Sequence, residues 1–442
     1  MLDLRYKTIL SVAIPLMASS FIQSIVMITD SAFLSRYSTI AFDASGNGGL
    51  IYITMFVALM GIADGAQIMM ARRIGEKKEN LLAQIFGTTI FTNVIIAIIL
   101  CLFIQLLIPN IIETITRNKA IAAGETTFVQ IRSYGLFFSA VTLTINAYFL
   151  AMGRTYVVLL SAIVIAFSNI GLDYTLIFGN WGLPRMGLEG AAFASMIADG
   201  TGMLFLIAAL YLSANRKRHE LFTKLKYNYE SFKRLIKIGA PIAFQGLIAL
   251  VTWTAFFVWI ENKGMYELTL SQNIRALYFL AFIPIWGFAG TTKTYISQYI
   301  GSQSFKEIKI VQGRIQLLTV LFLVAIFHGA VLYPEALVKM INPEVAYVKG
   351  SAEILQFVSG SVLIYGLSSV YFQTINGSGN TKFTLYIETI AVGFYLGFAY
   401  LFIKVFNWDI YWVWSVEYIY FSIMGILSIG YLRFFNWQKK TI

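Results

Sequence analysis

Long apolar runs alternate with short polar breaks along this chain. The runs repeatedly reach the ~20 residues that an α-helix needs to cross a ~30 Å hydrocarbon core, whereas barrel strands would show ~10-residue segments of alternating hydrophobicity. Twelve runs stand out, over about 9–34, 48–71, 84–109, 127–152, 156–180, 188–213, 236–260, 268–297, 315–340, 354–376, 383–405 and 410–432. Backbone polar groups find no water in lipid, so each run predicts a helix whose hydrogen bonds close within the segment. The expected fold class is an all-α polytopic membrane protein with twelve transmembrane helices. The one long polar connection predicts an N-terminal six-helix lobe (1–214), a cytoplasmic and partly helical inter-lobe linker (215–234) and a C-terminal six-helix lobe (235–442).

Punctuating residues recur at one spacing. Pro15 and Pro241, Gly61 and Gly287, Gly75 and Gly301, and Gly153 and Gly379 are each 226 positions apart. The flanks agree: Tyr6-Lys7 meets Phe232-Lys233, Ile74-Gly75 meets Ile300-Gly301, and Thr155 meets Thr381. One membrane module has therefore been duplicated. Six crossings return a chain to its starting side, so the two repeats are parallel, related by a pseudo-twofold axis along the membrane normal. A residue kept for structure should stand in both copies, and a residue serving chemistry need not. Asp30 corresponds to Phe256, Asn169 to Tyr395 and Asp173 to Ala399, so the ionisable chemistry is one-sided.

Composition agrees with the pattern, with 58% hydrophobic and 12% charged residues. Of the 33 Lys and Arg, 22 fall in the termini and even-numbered connections, nine are assigned to the other side, and Arg275 and Lys293 lie inside the eighth run. By the positive-inside rule both termini are cytoplasmic, and the net charge of +11 is mostly an orientation signal. Basic residues spread over many short loops exclude a nucleic-acid partner. The first apolar run is not a cleavable signal, because its Pro15 matches Pro241 in mid-chain. Two histidines, His219 and His328, and one cysteine, Cys101, supply neither a metal site nor a nucleophile with its base. No Gly-rich phosphate loop ends in Lys-Ser or Lys-Thr. The chain is expected to be neither an enzyme nor a user of ATP or any cofactor.

An acid in hydrocarbon costs several kcal/mol unless protonated, paired or wetted, so each intramembrane acid is a functional candidate. Asp30 lies about 4 residues, ~6 Å, from the outer end of its span, and Asp173 about 7 residues, ~10 Å, from the outer end of the fifth. Asn169 is one turn deeper on the face of Asp173, Ser195 of the sixth span lies at similar depth, and Asp199 is one turn further. These five side chains are expected to meet within the first lobe. For Asn169 and Ser195 interhelical hydrogen-bond glue weighs as much as function, whereas glue alone would not need the carboxyls of Asp30 and Asp173. Two carboxyls in a dry site either share a proton or hold a cation. Asp64, beside Gly61 and Gly65 on a face open to close helix approach, is a further candidate. Glu388 and Glu417 read as snorkelling or paired near span ends, Arg275 as their counter-charge or a cavity residue, and Lys293 as snorkelling. Pro15 and Pro241 each remove a helical N–H and predict kinks that serve as hinges.

The stretches Ser11-Val-Ala-Ile-Pro15, Thr29-Asp30-Ser31, Ala71-Arg-Arg-Ile-Gly75, Ala151-Met-Gly153, Asn169-Ile-Gly-Leu-Asp173, Gly190-Ala-Ala-Phe-Ala-Ser195 and Gln298-Tyr-Ile-Gly301 resemble the multidrug and toxic compound extrusion (MATE) transporters. The resemblance covers nearly the whole chain. It implies a V-shaped pair of six-helix lobes that opens alternately to each side and expels organic substrates in exchange for H+ or Na+. The family's first-span acid and proline match Asp30 and Pro15, its fifth-span pair matches Asn169 and Asp173, and Ser195 stands where the family usually has Thr. A major branch carries acids in spans 7 and 10, where the stretches around Ala249 and Tyr365 here have none. The chain is thus more similar to the DinF-like branch, in which the first lobe carries the coupling.

The expected function is secondary active export of small organic, including cationic, substrates from a bacterial inner membrane. H+ or Na+ would enter through Asp30, Asn169, Asp173, Ser195 and Asp199. The protein is expected to work as a monomer among membrane lipids. The alternatives are a flippase for lipid-linked saccharides and a non-transporting membrane receptor or scaffold. Aromatic residues, 16% of the chain, would suit stacking and cation–π contact with flat substrates.

Overall fold

The computed structural model describes residues 1–439, apart from the side chains of 216, 217 and 439, so the end of the expected C-terminal lobe, 440–442, lies outside the described residues. Among the described residues every regular element is helical. Eleven helices are long and apolar enough to cross a membrane, and a pair bent by 44° supplies a twelfth span. The spans are α1 (Tyr6–Tyr37), α2 (Thr39–Gly75), α3 (Leu82–Leu106), α4 (Lys119–Ser133 and Gly135–Ala151, the bent pair), α5 (Thr155–Phe178) and α6 (Leu188–Leu212). There follow α7 (Tyr229–Glu261), α8 (Met265–Gly301), α9 (Phe305–Phe327), α10 (Val345–Gly377), α11 (Thr381–Tyr400, continued by the π-turn Leu401–Val405) and α12 (Val416–Phe434, after the single turn Ile410–Val413).

Five spans, α2, α4, α7, α9 and α10, start well before their apolar runs. α2 begins at Thr39 and α4 at Lys119, because polar residues ahead of each run satisfy one another across the two helices. Asn47 Nδ2 donates to Glu125 Oε1 at 2.6 Å, and Thr116 Oγ1 donates to Glu125 Oε2 at 2.9 Å. The helices themselves start at side-chain caps: Ser38 accepts from Ala41 N–H, and Asn118 accepts from Ala120 and Ile121.

The duplication reappears in the backbone. Left-handed residues recur at the same offset of 226: Lys77 (φ 59°) with Gln303 (φ 60°), Gly153 (72°) with Gly379 (84°), and Trp181 (57°) with Asn407 (47°). The short helices Ile108–Ile115 and Pro334–Ile341 correspond end to end.

The chain packs as two units, one of Met1–Met17 with the residues from Phe244 on, the other of Ala18–Ala243. The boundaries therefore fall inside α1 and α7, shortly after Pro15 and Pro241, and not in the connection 215–234. That connection, helical only at Asn215–Arg218, and the first turns of α7 belong to the N-terminal unit. Asn228 N–H donates to Thr88 Oγ1 at 3.1 Å, Gln84 Nε2 donates to Ser231 Oγ at 2.9 Å, and His219 sits between Tyr148 and Glu79. Small residues allow the α2–α7 seam: a Cβ on Gly61 would lie 2.4 Å from Ala243 N, and one on Gly65 2.8 Å from Gly239 Cα. In the C-terminal unit, Tyr295 and Tyr299 hydroxyls donate to the carbonyls of Asp3 and Leu2 at 3.0 and 2.8 Å, while Ile9, Ala13 and Met17 join its apolar core. Both helices run on as α-helix through Pro15 and Pro241.

Candidate ion-coupling site

Within the N-terminal unit, α5 and α6 lie close because Gly190, Ala191, Ala192 and Ala194 keep the start of α6 small; a Cβ on Gly190 would stand 2.6 Å from the Leu176 carbonyl oxygen. Residues four apart on each helix then face the neighbour. Asn169 Nδ2 on α5 donates to Ser195 Oγ on α6 at 3.2 Å, and Thr201 Oγ1 donates to Ser168 Oγ at 3.0 Å. Asp173, one turn beyond Asn169, is fully buried. The C-terminal third of α1 brings Asp30, half-buried, near enough for the two carboxyls to influence each other.

This contact has an unusual hydrogen-bond balance. Asp30 Oδ1, both oxygens of Asp173 and Oδ1 of Asn169 are buried without a donor. Four acceptor oxygens gathered without a hydrogen atom between them are costly unless something positive fills the gap, since ionised carboxylates only accept.

Asp199, one turn beyond Ser195 on α6, takes a partner absent from the expected set. Arg132 Nη1 lies 2.8 Å from Asp199 Oδ2, and the guanidinium covers the Tyr52 ring at 4.1 Å. Gly135 sits just past the bend of α4, where a Cβ would be 3.0 Å from Asp199 Oδ2 and 3.2 Å from Arg132 Nη1, so the ion pair occupies the space of a missing side chain. The Arg132 charge acts on both Asp30 and Asp173. Asp30, Asn169, Asp173, Ser195 and Asp199 thus belong to one neighbourhood, with Arg132 and Tyr52 added. The charge count along the sequence places Arg132 with the outer connections, although a lone Arg in an apolar run, opposite Val358 in the other repeat, is a usable signal. Asp64 stands apart, twelve residues or about 18 Å along α2 from Tyr52.

The twin position in the C-terminal unit is an apolar core. Phe256, Tyr395, Ala399 and Val358, the counterparts of Asp30, Asn169, Asp173 and Arg132, all belong to it. The Phe256 ring meets Tyr395 edge-on at 5.4 Å and Trp414 at 5.5 Å.

Three expectations for the second half change. Glu388 and Glu417 are 4% and 1% exposed, so neither snorkels; each accepts from a tyrosine, Tyr420 at 2.6 Å and Tyr395 at 3.0 Å. Arg275 is exposed, its guanidinium 4.9 Å from the Phe257 ring centre, and forms no ion pair with these acids among the described residues. Lys293 is buried where its place in the run predicts snorkelling. For the two glutamates and Lys293, neighbouring helices close over a side chain that a single apolar run would leave at its margin.

A family model for MatE matches this chain twice, over residues 15–175 and 241–401, the same 226-residue offset starting at the two prolines. The chain is 22% identical over 443 aligned positions to the probable multidrug resistance protein NorM of Thermotoga maritima, covering 99% of this chain and 94% of that protein. To the probable multidrug resistance protein YoeA of Bacillus subtilis it is 21% identical, covering 97% and 93%. Among solved structures, a mutant of the Vibrio cholerae MATE transporter VcmN superposes with a TM-score of 0.89 at 17% identity over 98% of each chain. A MOP superfamily transporter from Pyrococcus furiosus gives 0.89 at 15% identity, covering 98% and 97%. The doubled family match over most of the twelve-span chain shows that this protein belongs to the MATE (MatE) family, integral membrane transporters and not enzymes.

Proposed function

We propose that this transporter exports small organic molecules in exchange for protons, with Asp30 and Asp173 as the exchange site. The observation that carries the reading is the cluster of four donorless acceptor oxygens on Asp30, Asp173 and Asn169. One proton between the carboxyls would let one donate to the other and relieve the cluster. A sodium ion would also fill it, and the Arg132 charge opposes either cation; the proton is preferred because two carboxyls in a dry site can share one. Asn169 and Ser195 orient the site, and Asp199 holds Arg132 in place. First-lobe coupling follows the DinF-like pattern, and the NorM and YoeA relatives, described as multidrug resistance proteins, favour a broad substrate range.

Filling or emptying the site would act on α1, whose first turns belong to the C-terminal unit, so Pro15, and Pro241 in the matching helix, would serve as hinges between inward- and outward-open states. The charge distribution supports cytoplasmic termini, the bacterial relatives support an inner-membrane location, and the single two-unit chain would be the working monomer. The test is transport by purified protein in vesicles, under a pH gradient and separately a sodium gradient. Asp30→Asn is expected to abolish efflux driven by the pH gradient. Full gradient-driven efflux in that variant would overturn the mechanism, and efflux driven by sodium alone would replace the ion.

A further inference from the structure

A cleft of about 260 Å³ in the N-terminal unit lies between the end of α2 and the starts of α3 and α7. Its polar lining sits at the margins of three apolar runs: Arg73 just past the second, Gln84 at the opening of the third and Arg234 just before the seventh. The cleft therefore stands at the level where hydrocarbon gives way to lipid headgroups, on the face that the charge count assigns to the cytoplasm. Tyr227 and Tyr229, both exposed beside it, suit that boundary, and the Lys233 ammonium lies 4.4 Å from the Tyr229 ring centre.

The charges at the cleft do not cancel. Glu230, the one acid in its wall, meets Lys233 at 3.5 Å, and Glu76 meets Arg73 at 2.6 Å and Lys78 at 3.4 Å. Arg234 is exposed and pairs with no acid among the described residues. Arg73, Lys78, Lys233 and Arg234 thus face only Glu76 and Glu230. The repeat shows that the shared module does not require this excess. The counterparts of Arg73 and Arg234 are Tyr299 and Thr8, and the twin position is closed by neutral groups: Tyr299 Oη donates to the Leu2 carbonyl at 2.8 Å, and Leu2 N–H donates to Gln298 at 2.9 Å.

We infer that this cleft binds the headgroup of an anionic phospholipid, with Arg73 and Arg234 on its phosphate. A guanidinium matches phosphate oxygens with paired N–H donors and holds them more strongly than a neutral amide does. Met69, Leu81 and Ile85 give the cleft an apolar wall, which suits the glycerol and first acyl carbons of a lipid and which a free phosphate would leave unused. A lipid held there would join α2, α3 and the start of α7, the elements against which the connection 215–234 docks.

The test is native mass spectrometry of the purified full-length protein in detergent, titrated with phosphatidylglycerol and separately with phosphatidylcholine. Wild type is expected to bind the first phosphatidylglycerol roughly tenfold or more tighter than phosphatidylcholine. Arg73→Gln with Arg234→Gln is expected to erase that preference, whereas Lys306→Gln with Lys309→Gln, which removes two exposed charges at the start of α9, is expected to keep it. Arg73 is buried, so should the double variant not fold, Arg234→Gln alone is expected to lower the preference roughly fivefold. Equal affinity for the two lipids, an undiminished preference in a folded Arg234→Gln variant, or an equal loss in the lysine variant would each overturn the inference. Displacement of phosphatidylglycerol by inorganic phosphate beyond that by chloride at the same ionic strength would overturn it in favour of a soluble anion. No gradient or exported substrate enters the measurement, so the outcome is independent of the export mechanism.

Discussion

Replacing Arg132 by Leu removes the guanidinium but leaves the Asp199 carboxylate beside α4, against Gly135 and the Tyr52 ring. The pair is 2.8 Å apart with side chains 12% and 22% exposed, so little water remains to solvate the survivor. Removing one partner of such a pair costs about 3–5 kcal/mol, whereas replacing both by apolar residues of similar volume is often neutral or stabilising. For a unit of Ala18–Ala243, at ~2–4 °C per kcal/mol, the single substitution lowers the melting temperature by roughly 6–20 °C. Arg132→Leu/Asp199→Leu should recover most of that loss. The assay is a thermal double-mutant cycle on purified protein, read by tryptophan fluorescence, with an expected coupling of about 2 kcal/mol or more. A shift of less than ~2 °C in Arg132→Leu, or a double variant no more stable than the sum of the singles predicts, would refute the burial argument and with it the role given to Asp199.

The repeat-related glycines should respond unequally. Gly61→Ala drives a methyl to 2.4 Å from the Ala243 backbone nitrogen, whereas Gly287→Ala meets first the movable Met17 Cγ at 2.4 Å; about 3 kcal/mol or more is expected for the first and about 1 for the second, by thermal unfolding. Equal losses would mean that the α2–α7 seam adjusts more freely than its backbone contacts imply. His219 should make the docked connection acid-sensitive. Burial lowers its affinity for protons below that of an ordinary imidazole, and the neutral ring meets both neighbours when Nε2–H donates to Glu79 and Nδ1 accepts from Tyr148. The unfolded chain then takes up the proton first, near the ordinary value of 6.5, so stability is present above that pH and is lost as pH falls toward the lower folded value. Melting curves from neutral to mildly acidic pH should fall for wild type and flatten in His219→Gln; parallel slopes would exclude this histidine as the cause.

Much of this organisation was legible because lipid leaves a backbone few options. Apolar runs long enough to span had to be helices, and the spacing of Pro15 and Pro241 set the repeat that the left-handed residues Lys77 and Gln303 repeat in space. The one-sided acids also showed, since Asp30 against Phe256 and Asp173 against Ala399 are contrasts of residue type alone. Arg132 and the tyrosine partners of Glu388 and Glu417 were missed for a common reason. Depth along one run says how far a side chain is from the membrane surface but not which helix closes over it. Arg132 becomes an interior residue only because α4 bends just beyond it and α6 presents Asp199 there.

The amino-acid order alone determined the helical spans, the duplication and which copy holds each acid, because these follow from local hydrogen-bond closure and from comparing the chain with itself. Only the tertiary structure decided that Asp30 stands near Asp173, that Arg132 answers Asp199, and that the units divide within α1 and α7 after their prolines. Those outcomes depend on which faces of distant helices pack together, and small residues such as Gly61 and Gly190 set that packing only when a second helix arrives to use the space.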